Sequence, residues 1–134
     1  MYTLIIQAGG KGTRLKSFTK NKPKALLSIN TLPLISNIIN KLGDNKKCSK
    51  VIILCDYKEE IFAIYLPFLK SFHKNIVIEL LSAKPYKGTS SGLKSAIERF
   101  QINDPILFAW CDLFLENDIS YYLKLLDKIE KISK

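Results

Sequence analysis

No acidic residue occurs before Asp44. The first 43 residues carry seven cations and no carboxylate, whereas the remainder holds 14 cations against 12 acids. Most of the net charge of +9 therefore sits in the opening third. A local anion site accounts for that asymmetry as well as a polyanion groove does, and with fewer assumptions. Lys46, Lys47, Lys128 and Lys131 read as solvated surface. Histidine is scarce as well: His73 is alone, and a surface or core role suits it better than catalysis. The three cysteines, Cys48, Cys55 and Cys111, form no CxxC pair and no even set, which points to reduced thiols and a cytoplasmic protein. No apolar run approaches the roughly 18 to 20 residues that a bilayer demands, so no membrane partner is expected. The apolar start, MYTLIIQAGG, has no basic region before it and reads as a first strand rather than a secretory signal. Internal repeats and low-complexity linkers are absent too.

What is present is a chain of 134 residues, 47% hydrophobic and 25% charged, the balance of one ordinary folded domain. Apolar runs alternate with helical periodicity. TLIIQA (3–8), KVIILC (50–55), NIVIELL (75–81) and PILFAW (105–110) have the composition of buried strands, and KALLSI (24–29) reads as a brief extended segment. Pro33 opens a helix with Leu34, Ile35, Ile38, Ile39 and Leu42 on one face and Gly43 at its end. Residues 58–66 form a helix closed by Pro67. Ser90 and Ser91 precede Leu93, Ala96, Ile97 and Phe100, which have helical spacing, and residues 119–132 form a final amphipathic helix. Strands separated by helices predict an α/β fold, a Rossmann-like and mainly parallel sheet with helices on both faces. Ligands of such sheets collect at the carboxyl ends of the strands. The glycines after the first strand and Asp112 after the fourth both belong on that edge.

The glycines stand in AGGKGTRLKSFTKNKPKALL, residues 8–27, with Lys11, Arg14, Lys16, Lys20, Lys22 and Lys24 and no acid among them. A loop that wraps phosphates needs inward N–H groups, which glycine can present without a Cβ penalty. Cations then offset the phosphate charge, and arginine grips it with a planar fork. The generic fingerprints fit poorly. GxGxxG would need glycine where Leu15 stands, and a Walker A loop would need lysine after Gly12 rather than before it. On spacing alone, a plain glycine turn beside a basic surface remains an alternative.

The longer pattern is more specific. Ala8, Gly9, Gly10, Gly12, Thr13, Arg14, Leu15, Thr19, Pro23, Lys24, Leu27, Pro33 and Ile35 together resemble the opening signature of the sugar-phosphate nucleotidyltransferases. KGTSSGLKSA (87–96) resembles that family's second glycine segment, beside the nucleotide base. WCDLFL (110–115) resembles its metal-binding strand end, with Cys111 where glycine is frequent. The resemblance implies a nucleotide-diphospho-sugar transferase-like domain over residues 1–134. It would correspond to the N-terminal half of the catalytic domain, an apparently truncated form.

The implied reaction transfers NMP from a triphosphate (CTP, UTP, dTTP or GTP) to a sugar phosphate or related phosphomonoester and releases pyrophosphate. Such a step serves cell-surface glycan synthesis. Ala8, Gly9, Gly10, Lys11, Gly12, Thr13, Ala83, Gly88 and Thr89 would hold the nucleotide. Arg14 would bind the leaving pyrophosphate, Lys24 the α-phosphate or the incoming phosphate, and Asp112 a magnesium ion. Lys16, Lys20 and Lys22 would guide anions weakly. Asp118, a turn beyond Asp112, reads as a helix N-terminal residue rather than a second ligand. The missing acceptor half would come from a longer chain, a second copy or a partner chain. A nucleotide-binding module without turnover is the alternative. A nucleic-acid binder ranks below both, because Phe18 is the only aromatic within the basic segment.

Overall fold

The computed structural model describes residues 1–82, 88–113, 115 and 119–132. Its main sheet has four parallel strands: β1 (Tyr2–Gln7), β4 (Cys48–Cys55), β5 (Ile78–Ser82) and β6 (Ile106–Trp110), in the order β5-β4-β1-β6. A two-stranded antiparallel ribbon, β2 (Ser28–Ile29) with β3 (Leu32–Pro33), lies apart from it. The helices are α1 (Leu34–Ile38), which runs into a π turn over Ile39–Gly43, then α2 (Glu59–Phe72), α3 (Thr89–Phe100) and α4 (Ile119–Ile132).

The central strands are buried on both faces, as a parallel sheet covered by helices requires, and their sequences are accordingly unbroken apolar runs. Side chains alternate across β1. Leu4 and Ile6 join Val51 and Ile53 in the larger core, with Ile35, Ile38, Phe62 and Leu69 from α1 and α2. Ile5 points the other way, to Ile52, Leu54 and Leu81, where Ala96 and Leu93 of α3 cover it. The expected layering on both faces is therefore present. Among the described residues, no helix is long and apolar enough to cross a membrane.

Two expectations about single elements fail. The segment 24–29 is not one extended piece: Lys24–Leu26 is a 3-10 turn, because Ala25 and Leu26 must drop into the core directly after Pro23. Only Ser28 and Ile29 are extended, and they turn back through Asn30 and Thr31, both at positive φ, the signature of a tight hairpin. Nor does Pro67 end a helix. α2 continues to Phe72 with Pro67 inside it. That proline forfeits one helical bond, and the fully buried pair Phe62 and Leu69, on either side of it, holds the helix against the sheet regardless.

Register places the site. Gln7 lies opposite Leu54 on one side and Trp110 on the other, so β1, β4 and β6 end level. The residues that leave these ends, Ala8 and Gly9, Asp56, and Cys111 and Asp112, emerge side by side. The chain runs outward from β1 through β4 to β5 and then returns to β6 on the opposite flank. That reversal opens a crevice at the carboxyl edge, where open α/β sheets take their ligands.

Candidate functional site

The glycine loop is shaped by three different demands. Gly9 has no room: a Cβ there would stand 2.5 Å from Asp56 Oδ1 and 2.7 Å from Gln7 Nε2. Gly10 has room but an unusual backbone, with φ of +105°. Gly12 has neither, at φ +58° with Thr19 Cγ2 only 2.9 Å from the place of a Cβ. Thr19, buried, donates through Oγ1 to the Gly12 carbonyl at 2.9 Å, and the Leu15 amide donates to the same oxygen. The chain leaves the loop through two short 3-10 turns over Thr13–Thr19, kinked at Lys16.

Gly9, Gly10 and residues 12–15 of the loop, together with Lys24 and Asp112, line a cavity of about 410 Å³. Among the described residues, the amides of Lys11, Gly12, Thr13 and Arg14 have no hydrogen-bond partner, which leaves them available to an anion. The Gly10 amide is engaged, donating to Asp56 Oδ1 at 2.6 Å. Ala8 stays in the core with its amide on the Leu54 carbonyl, so it supports the loop from beneath rather than lining the cavity. The Lys11 side chain turns toward an adjacent groove with Lys16, Lys20 and Tyr57. Lys22 lies over the Tyr65 ring.

Lys24 and Asp112 are brought together. Lys24 Nζ donates to Asp112 Oδ2 at 2.5 Å, with both side chains partly exposed. That hydrogen bond, before any other cause, holds the Asp112 carboxyl below its ordinary pKa. Cys111 beside it is buried, and burial pushes its thiol up to about 11. The carboxylate at 112 suits a hard, oxygen-seeking cation such as magnesium. No group of three His, Cys, Asp or Glu side chains gathers among the described residues. Asp112 could give a magnesium ion one protein ligand, and the remaining ligands would have to come largely from phosphate oxygens. Asp118 lies outside the described residues.

A second cavity, of about 260 Å³, shares the rim of Gly9 and Gly10 and extends past Gln7, Asp56, Gly88, Thr89 and Trp110. Gly88 precedes α3 at φ +90° with open space around its missing Cβ. Ala83, expected beside the nucleotide, lies outside the described residues, as does Lys87. Gln7 and Asp56 were not anticipated from sequence. The available signal was positional, since each polar side chain stands at the end of an apolar strand on the ligand edge.

Comparison with known proteins matches residues 4–130 to the MobA-like NTP transferase domain, so the chain belongs to that family. The Methanocaldococcus jannaschii bifunctional protein GlmU is 28% identical over 120 residues, covering 90% of this chain and 27% of that protein. The crystal structure of a UDP-glucose pyrophosphorylase complexed with UDP-glucose superposes with a TM-score of 0.77 at 18% identity, over 97% of this chain and 55% of that one. The CTP:phosphocholine cytidylyltransferase of Streptococcus pneumoniae gives a TM-score of 0.66 at 27% identity, over 88% and 48% of the respective chains. The chain thus spans about a quarter of that GlmU and about half of these two solved structures.

Proposed function

We propose that this member of the MobA-like NTP transferase family binds a nucleoside triphosphate with magnesium and works as the nucleotide-binding half of a nucleotidyltransferase. One observation carries the reading. A glycine loop with unpaired amides, Arg14, Lys24 and Asp112 surround one cavity at the switch point of a parallel sheet. The chemistry is attack by a phosphate oxygen of the acceptor on the α-phosphorus, with pyrophosphate as leaving group. It needs alignment and charge neutralisation rather than a protein nucleophile.

In this reading the amides from 11 to 14 hold the β- and γ-phosphates, and Arg14 grips the departing pyrophosphate. Lys24 turns from Asp112 to the α-phosphate, where a compact charge offsets the charge that builds up as the new bond forms. Asp112 holds magnesium, which when bound would supply positive charge to the phosphate oxygens. The Gly88 and Thr89 segment borders the nucleoside. The acceptor is a sugar phosphate or a related phosphomonoester, and the product is an activated precursor for surface-glycan assembly in the cytoplasm. The rest of the acceptor side comes from a further stretch of chain, a second copy or a partner chain.

Calorimetry with magnesium and each of CTP, UTP, dTTP and GTP tests the binding step. At least one should bind, and Arg14→Ala should weaken it by about tenfold or more. Absence of binding by all four, or affinity untouched by Arg14→Ala, would overturn the reading. Turnover is tested by pyrophosphate release with a panel of phosphorylated acceptors. Binding without release would favour a nucleotide-binding module, a reading supported by Asp112 being the one carboxylate at the metal position among the described residues.

A further inference from the structure

The second cavity differs in charge from the first. The phosphate cavity is lined by Arg14 and Lys24, whereas among the described residues the second carries the Asp56 carboxylate and no cation. A phosphate is repelled there, and an uncharged ring is not. Trp110 supplies an aromatic border, half-exposed and packed edge-on to Phe108 at 5.2 Å. The rim shared at Gly9 and Gly10 lets one ligand occupy both cavities.

Within that cavity, two acceptors converge. Gln7 Oε1 is buried and has no hydrogen-bond partner among the described residues. Such an orphan costs stability unless a ligand satisfies it. Asp56 commits Oδ1 to the Gly10 amide, which leaves Oδ2 for a ligand. The missing Cβ of Gly9 is what allows Gln7 Nε2 and Asp56 Oδ1 to crowd the same point.

We infer that Gln7 and Asp56 read the exocyclic amino group of the nucleobase and select against a carbonyl at that position. An amino group offers two hydrogens, one for Gln7 Oε1 and one for Asp56, while Gln7 Nε2 donates to the neighbouring ring nitrogen. Cytosine presents that edge. Uracil and thymine place a carbonyl oxygen against the Asp56 carboxylate, which is repulsive and leaves an acceptor unpaired. Adenine presents the same edge on a larger ring, whereas guanine sets its amino group beside a ring N–H that cannot accept from Gln7 Nε2. This selectivity rests on the triphosphate reading above.

The test compares CTP with UTP, which differ in the amino or carbonyl group on the same ring carbon, by calorimetry on the whole chain with magnesium. ATP and GTP arms report whether the amino group is read on one ring or two. CTP should bind about tenfold or more tighter than UTP. Asp56→Asn keeps Oδ1 for Gly10 but puts a donor in place of Oδ2, so the ratio should collapse toward one. Gln7→Leu should weaken CTP by about tenfold. Melting curves confirm that each variant is folded, and a purely structural role for either residue would leave the CTP-to-UTP ratio unchanged. Equal affinity for CTP and UTP, with both lost in Arg14→Ala, overturns base selection and leaves triphosphate binding standing. Failure of every triphosphate to bind overturns both. If Asp56→Asn changes the CTP-to-dCTP ratio instead and spares the CTP-to-UTP ratio, the carboxylate holds ribose and the inference falls.

Discussion

Lys24 and Asp112, 88 positions apart in the chain, share a charged hydrogen bond of 2.5 Å beside the cavity that the glycine loop lines. Lys24 is aimed by the buried Ala25 and Leu26 behind it, and Asp112 by the end of β6. Each group thus keeps the other satisfied, and each is also a group that a magnesium triphosphate would claim.

Replacing Lys24 tests that exchange. In Lys24→Met the Asp112 carboxyl loses its main stabilising partner, and its pKa should rise toward the ordinary aspartate value of 3.8, read from the carboxyl carbon by NMR titration. Triphosphate affinity should fall by roughly 10- to 100-fold, the range for loss of a charge-assisted hydrogen bond. An unmoved Asp112 titration would show that the pair does not persist in solution.

Acid should loosen the fold through His73. The ring is buried, neither nitrogen has a partner among the described residues, and burial, opposed by nearby Asp44, pushes its pKa below the ordinary 6.5. The unfolded chain therefore takes up a proton first. Stability is unaffected above about pH 6.5 and declines as pH falls below it toward the folded value, by at most about 1.4 kcal/mol per pH unit. Urea midpoints at pH 7.5, 6 and 5 should drop in the wild type and drop less in His73→Phe. Parallel curves would exclude His73 as the source.

Gly12→Ala should destabilise the chain by about 1 to 2 kcal/mol, since it adds a methyl group against Thr19 at a left-handed backbone position. Gly10→Ala meets no atom within 4 Å, so its loss should be smaller provided the loop can shift φ from +105° toward the left-handed basin that alanine tolerates. Denaturant titration ranks the two. The reverse order would mean that the loop relaxes around position 12.

All three thiols should resist modification in the native state. Cys48, Cys55 and Cys111 are buried, and burial pushes both Cys48 and Cys111 up to about 11. The reactive thiolate is then nearly absent at pH 8. Ellman's reagent should label the folded protein slowly and all three thiols promptly in denaturant. Fast native labelling would place a cysteine at the surface.

Much of the fold was legible because parallel strands buried on both faces must be apolar throughout, and four such runs stand out between helical periods. The failures lie where packing overrode local chemistry. Pro67 marks a helix end on propensity alone, yet Phe62 and Leu69 bury on either side of it. The run 24–29 is apolar enough for a strand, yet it must turn to seat Ala25 and Leu26. The glycine loop and Asp112 belong on the ligand edge because each follows a strand, whereas Arg14 and Lys24 stand out only through the family resemblance. The structure lines one cavity with Gly9, Gly12, Arg14, Lys24 and Asp112. Gln7 and Asp56 escaped notice because a single polar residue closing an apolar run carries no periodic signal. Only the level ends of β1 and β4 reveal that their side chains meet.

The position of β1 has a consequence in time. It is made first, yet it lies at the centre of the sheet, and its pairing with β6 joins Thr3 to Ile106 and Gln7 to Trp110. Contacts so distant in sequence form slowly. While the ribosome is still at work, β1, β4 and β5 can already associate, but the crevice has only one wall. It becomes a container when the strand that carries Asp112 docks. On the proposed function, a nascent chain would be blind to nucleotide until nearly its whole described length has emerged.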